Sequence, residues 1–235
     1  MQEILPIAAT GRKMDRNSCN QPHLTPVRRI KSTRRSLSGV YAFRGDAVAY
    51  ESTLERDFLQ RIDFNRNVVA AVSQPVCLDF IALNGRSYTY TPDFLVYFKP
   101  DSGLRPMLVE VKPEEQWRAK WREWLPKWKA AWRYASEQGW SFHIYDESRI
   151  RDQVLEKIRF LERFKRGDFA REDLDAVVQS VAEMGVARFQ YLIARHYTGF
   201  EGEGASVIFH LLATRELDCD VSESFDDFLE VWVAK

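Results

Sequence analysis

Thr91-Pro92-Asp93-Phe94-Leu95-Val96-Tyr97-Phe98, followed after a loop around Pro100 to Pro106 by Leu108-Val109-Glu110-Val111-Lys112, reads as two successive β-strands rich in branched and aromatic residues. On the second strand Glu110 and Lys112 are two residues apart, so both side chains project from one face while Val111 points into the opposite layer. A charged pair on an otherwise apolar strand loses hydration unless partners compensate. One reading is a surface ion pair between Glu110 and Lys112. Asp93, at the entry to the preceding strand, favours another: two carboxylates and an ammonium converging on a shared metal.

That set has the chemistry of phosphodiester hydrolysis, which needs an in-line water, a cation to screen the scissile phosphate and a positive group near the water or leaving oxygen. Magnesium takes oxygen ligands and keeps several waters, so one or two protein carboxylates are enough. Other chemistries lack support. His23, His143, His196 and His210 have no metal-ligand spacing, and neither a glycine-rich phosphate loop nor a nucleophile elbow occurs.

Upstream, Asn84-Gly85 between two β-rich runs predicts a two-residue hairpin turn, and Val68 to Val72 predicts another strand. From Glu51 the pattern is helical to near Asn65, with Leu54, Phe58 and Ile62 as its apolar stripe. Glu55 borders that stripe, where a helical acid would reach the sheet; it also completes Ser52-x-x-Glu55, a capping box in which it serves only its own helix. Gln74, before Pro75, is either a polar strand end or a support for the metal's ligands.

Downstream, Trp117, Trp121, Trp124, Trp128 and Trp132 recur at helical spacing between residues 114 and 138, predicting a stripe packed on the sheet, with a kink or break at Pro126. The Arg and Lys between them would face outward. Trp140 to Tyr145 predicts a closing strand. Beyond it, residues 150 to 166, 171 to 184 and 186 to 198 read as three helices, and Ala205 to Glu216 as a fourth before a short acidic close.

The 235 residues are 45% hydrophobic, enough for an ordinary core, and 34 basic side chains balance 34 acidic ones. Distribution matters more than the total. Residues 1 to 50 hold nine Lys/Arg against three acids, and residues 201 to 235 hold nine acids against two basic residues. The first 35 residues read as a flexible basic arm whose Arg28, Arg29, Lys31, Arg34 and Arg35 suit DNA phosphates. The acidic end suits a protein partner. Cys19, Cys77 and Cys219 indicate neither a disulfide framework nor a zinc site, and no basic leader or membrane-length apolar run is present. A soluble, intracellular protein is expected.

Pro92-Asp93 followed by Glu110-x-Lys112, with a preceding helical acid, resembles the PD-(D/E)xK nucleases. Within that superfamily, Tyr50-Glu51-Ser52-Thr53-Leu54-Glu55, Gln74-Pro75, Tyr90 to Leu95 and Glu110-Val111-Lys112-Pro113 resemble TnsA, the endonuclease subunit of heteromeric transposases, over residues 28 to 115. Some TnsA proteins carry glutamine where this chain has Glu110, so the site here follows the broader nuclease pattern.

The resemblance implies an α/β, restriction-endonuclease-like mixed sheet flanked by helices over residues 36–148, followed by a small, mostly helical, winged-helix-like domain over residues 149–235. It implies that Asp93, Glu110, the Val111 carbonyl and Glu55 hold Mg2+, for which Mn2+ can substitute, and that Lys112 orients or activates the attacking water. It further implies a bacterial, cytoplasmic enzyme, nucleoid-associated when acting, that hydrolyses double-stranded DNA at transposon 5′ ends beside a DDE transposase subunit, under an AAA+ ATPase regulator. The alternatives are a stand-alone restriction or repair nuclease of the same superfamily, and a non-catalytic factor that bridges DNA and protein.

Overall fold

The computed structural model describes residues 37–234, so the basic arm, with Arg28, Arg29, Lys31, Arg34 and Arg35, lies outside the described residues. The described residues open with a hairpin absent from the sequence reading: β1 (Gly39–Phe43) pairs antiparallel with β2 (Asp46–Tyr50). Arg44 and Gly45 turn it with φ of 50° and 95°, the left-handed pair that matches strand twist in a tight turn. Helix α1 (Thr53–Asp63) follows, ending near where its stripe predicts, and buries Leu54, Phe58, Leu59 and Ile62.

The central sheet has four strands in the order β3 (Val68–Ser73), β6 (Phe94–Phe98), β7 (Met107–Val111) and β8 (Ser141–Tyr145). The first three pair antiparallel, whereas β7 and β8 run parallel. A parallel pair needs a long crossover, which α2 (Glu114–Glu137) supplies. A separate hairpin, β4 (Leu78–Ile81) with β5 (Ser87–Tyr90), precedes β6. Its turn falls at Asn84-Gly85 as predicted, with a longer loop. Ala82 N–H bonds to the Arg86 carbonyl and Gly85 N–H to the Ala82 carbonyl, both at 2.9 Å, with Gly85 at φ 75°. Three residues therefore close the turn, an arrangement stabilised by a left-handed residue in the third position.

Alternation along β6 and β7 sorts the core into two layers. Phe94, Val96, Val109 and Val111 meet α1 and the first hairpin; Leu95 and Leu108 meet Trp128, Ala131 and Ala135 of α2. The nuclease-like part is thus a mixed sheet flanked by helices.

Two expectations about α2 need correction. The helix continues through Pro126 for 24 residues, so proline removes one backbone donor without dividing it. The tryptophans are also not one buried stripe: Trp128 is buried, while Trp121 and Trp132 are 46% and 59% exposed. At roughly 100° per residue, steps of four drift by about 40° each time, which carries Trp132 off the face centred on Trp128, Ala131 and Ala135.

After β8 the chain forms α3 (Glu147–Ile150), α4 (Gln153–Glu162), α5 (Arg171–Met184), β9 (Ala187–Arg188), α6 (Phe189–His196), α7 (Glu201–Ala213), β10 (Leu217–Cys219) and β11 (Glu230–Val233). The helix expected over 150 to 166 is broken at Arg151, because Asp152 caps a new helix by accepting from Leu155 N–H at 3.2 Å. The acidic close is not featureless. Strands β10, β11 and β9 make a three-stranded antiparallel sheet beside the helices.

Helix α4 serves two cores. Its Leu155, with Ile150 of α3, joins Phe58 and Phe94 under the central sheet, while its Leu161 joins Val177, Leu192, Ile208 and Val231 in the carboxy-terminal core. Among the described residues no helix is long and apolar enough to cross a membrane.

Candidate active site

The antiparallel register of β6 and β7 sets Phe94 opposite Val109, which brings Asp93, just before β6, beside the end of β7. Asp93 Oδ2 accepts from Val111 N–H at 2.7 Å, and the Asp93 carbonyl accepts from Gln74 N–H at 2.8 Å. The aspartate is therefore held through backbone on both sides. Lys112 Nζ lies 3.6 Å from Asp93 Oδ2 and 3.7 Å from Glu110 Oε1, so one ammonium bridges both carboxylates. The sequence-predicted trio converges.

Glu110 is 1% exposed, and such a buried carboxylate requires donors. Tyr90 Oη donates to Oε2 at 2.6 Å and Lys127 Nζ to Oε1 at 2.9 Å. Sequence reasoning missed both. The available signals were a tyrosine ending the hairpin strand just before Pro92-Asp93, and a lysine set within the tryptophan stripe.

Burial, followed by repulsion from Glu110 and Glu55, pushes the Asp93 carboxyl well above the usual carboxylate range, against the pull of Lys112 and the Val111 amide. Burial works against the charge of Lys112, but Asp93, Glu110 and Glu55 outweigh it and raise its pKa. Tyr90 is raised by burial and by the same two carboxylates, so it stays a donor.

Glu55 sits differently. Its Oε2 accepts from Glu51 N–H at 2.8 Å and its Oε1 from Ser52 Oγ at 2.9 Å, while Ser52 Oγ accepts from Glu55 N–H at 3.1 Å. The capping box is formed. The Glu55 field nonetheless reaches Lys112 and Asp93, and its own pKa is raised, chiefly by burial.

Gln74 adds an unusual backbone. Its φ is 48°, left-handed for a bulky residue that precedes proline, a conformation that costs about 1–3 kcal/mol. The side chain is 7% exposed, and its Oε1 has no hydrogen-bond partner among the described residues. The strained backbone at Gln74 therefore adjoins Asp93, whose carbonyl its N–H holds.

Among the described residues no three His, Cys, Asp or Glu side chains converge as a ready metal shell. The donor set still fits a hard divalent cation: two crowded carboxylates, Asp93 and Glu110, sharing one ammonium. Such ions complete their coordination with water.

A mixed sheet with two carboxylates and a lysine gathered at adjoining strand ends defines a nuclease of the PD-(D/E)xK class. Residues 65–147 match the family model described as TnsA-like endonuclease N terminal, and this segment is a TnsA-like endonuclease domain. The match includes Gln74, Tyr90, Asp93, Glu110, Lys112 and Lys127 and begins after α1. Comparison of the chain with curated proteins finds no match.

Proposed function

We propose that the chain is a divalent-metal-dependent DNA endonuclease, the subunit of a heteromeric cut-and-paste transposase that hydrolyses the phosphodiester at the transposon 5′ ends. The observation that carries this reading is the bridging of Asp93 and Glu110 by Lys112 at 3.6 and 3.7 Å within the TnsA-like segment. Asp93 and Glu110 would hold magnesium, which when bound supplies charge screening at the phosphate and an acidified water.

The protein's own groups do the rest. The Val111 amide fixes Asp93, and Tyr90 fixes Glu110. Lys112, kept protonated by three carboxylates, stands where an ammonium can orient the attacking water and offset charge developing on the phosphate. Glu55 contributes field from its capped position.

A DDE transposase subunit would cut the complementary strand and an AAA+ regulator would time the event. The acidic segment from Glu216 to Glu230 suits the protein contact better than a DNA contact. The helices after α3 with their three-stranded sheet are read as winged-helix-like, and the basic arm, Arg28 to Arg35, as a phosphate contact.

The test is magnesium-dependent nicking of transposon-end DNA with the cognate transposase present. Wild type is expected to cut, and Asp93→Ala and Lys112→Ala to lose at least about a hundredfold. Equal cutting by all three would sink the assignment and leave a bridging role.

A further inference from the structure

Among the described residues, Lys127 reaches the site from helix α2, whereas Lys112 directly follows the strand that carries Glu110. Its Nζ lies 2.9 Å from Glu110 Oε1 and is enclosed by aromatic faces: the ring centroids of Trp124, Tyr90 and Trp128 stand 4.6, 4.7 and 5.7 Å away. The enclosure is not closed. Lys127 also lines an open groove between the β4–β5 hairpin and α2, whose walls are Phe80, Leu83, Tyr88 and Trp124, with the acid Glu123 at its lining. A side chain with 15% exposure and a solvent-side exit can change partner without disturbing the core.

Charge balance gives that freedom a purpose. With every carboxyl ionised, as a bound cation requires of its ligands, Glu55, Asp93 and Glu110 against Lys112 and Lys127 leave one negative charge. A divalent cation reverses it to one positive, and a single phosphodiester then cancels it. With metal present and DNA absent, an ammonium at Glu110 is surplus and repelled; with both present, it has a phosphate to meet.

We infer that Lys127 is a stand-in counter-ion: it occupies Glu110 in the resting protein, competes with the divalent metal for that carboxylate, and transfers to a DNA phosphate when substrate arrives. Metal retention is thereby tied to DNA. The inference rests on the nuclease reading and assigns Lys127 a role within it.

The competition can be read without cleavage. Mn2+ binding to the full chain is titrated by electron paramagnetic resonance, with and without a phosphorothioate duplex that resists cutting. Lys127→Met and Lys127→Gln are expected to bind Mn2+ about tenfold more tightly than wild type in the absence of DNA. Their gain in affinity on adding duplex is expected to be smaller than wild type's, and Lys127→Arg is expected to behave as wild type.

Circular dichroism confirms that each variant is folded, and the Gln variant serves if the Met variant is not. Unchanged or weaker Mn2+ binding by the neutral variants overturns the inference, because a residue that merely steadies Glu110 would weaken binding when removed. Failure of every protein, wild type included, to bind Mn2+ overturns the metal-nuclease reading along with it. The two failures are distinguished by the wild-type titration.

Discussion

Arg151 Nε donates to Asp57 Oδ2 at 2.7 Å across 94 residues of sequence, and Arg159 Nη2 donates to Oδ1 of the same carboxylate, with Arg56 Nη2 at 3.1 Å. Asp57, 1% exposed on α1, thus ties the helix that carries Glu55 to the segment entering the carboxy-terminal core. Burial alone would raise its pKa; three guanidinium hydrogen bonds prevail and hold it below the usual range. A carboxyl whose folded pKa is depressed contributes stability that is full above its unfolded value, near about 4, and is lost as pH falls through the folded value.

Asp57→Asn is therefore expected to cost about 2 kcal/mol at neutral pH, moderated because its arginines, each 41% exposed, can return to water. Urea unfolding at pH 7 and in steps below pH 4 checks both statements. The mutant's deficit should shrink only on the acid side.

The two roles of Glu55 separate by substitution. Glu55→Gln keeps a capping-box acceptor and removes the charge, so stability should stay within about 0.5 kcal/mol of wild type while cutting falls. Ser52→Ala should cost about 1 kcal/mol and leave cutting per folded molecule unchanged. Thermal melts beside nicking assays give the comparison, and unimpaired nicking by Glu55→Gln would restrict Glu55 to its cap.

At Gln74 the strained φ and the orphaned Oε1 predict opposite effects on stability and activity. Gln74→Met keeps the volume and removes the unsatisfied acceptor, so the free protein should gain about 1–2 kcal/mol. Nicking should decline, since the residue whose backbone N–H holds the Asp93 carbonyl carries that unpaired oxygen. A melting curve with no upward shift refutes the first half.

The tryptophans of α2 divide by face. Trp128→Ala should destabilise by about 3–5 kcal/mol as a core truncation, whereas Trp132→Ala should change stability by less than about 0.5 kcal/mol. Denaturant midpoints of the two variants test the drift of the stripe.

What the sequence made legible follows from the physics of each signal. Asp93, Glu110 and Lys112 could be read because a two-residue strand period places charges on a face where burial demands partners. The long helices α1 and α2 could be read because apolar spacing repeats over several turns.

Strands β1, β2 and β9 to β11, of two to five residues each, are too short for alternation to rise above their surroundings. Their turns, at Arg44-Gly45 and within an acidic run, lack the usual residues or are masked by charge. Tyr90 and Lys127 were missed because their role comes from tertiary contacts: nothing local to Lys127 reveals that Glu110 lies 2.9 Å away.

The sharing of α4 between two cores bears on modularity. The matched family segment ends at residue 147, yet Ile150 and Leu155 fill the same core as Phe58 and Phe94, and Arg151 and Arg159 satisfy Asp57. A gene fusion or truncation made at the family boundary would leave an apolar hollow under the central sheet and a buried acid stripped of two of its counter-charges. The segment that can fold with its core filled and Asp57 satisfied must therefore run at least through α4.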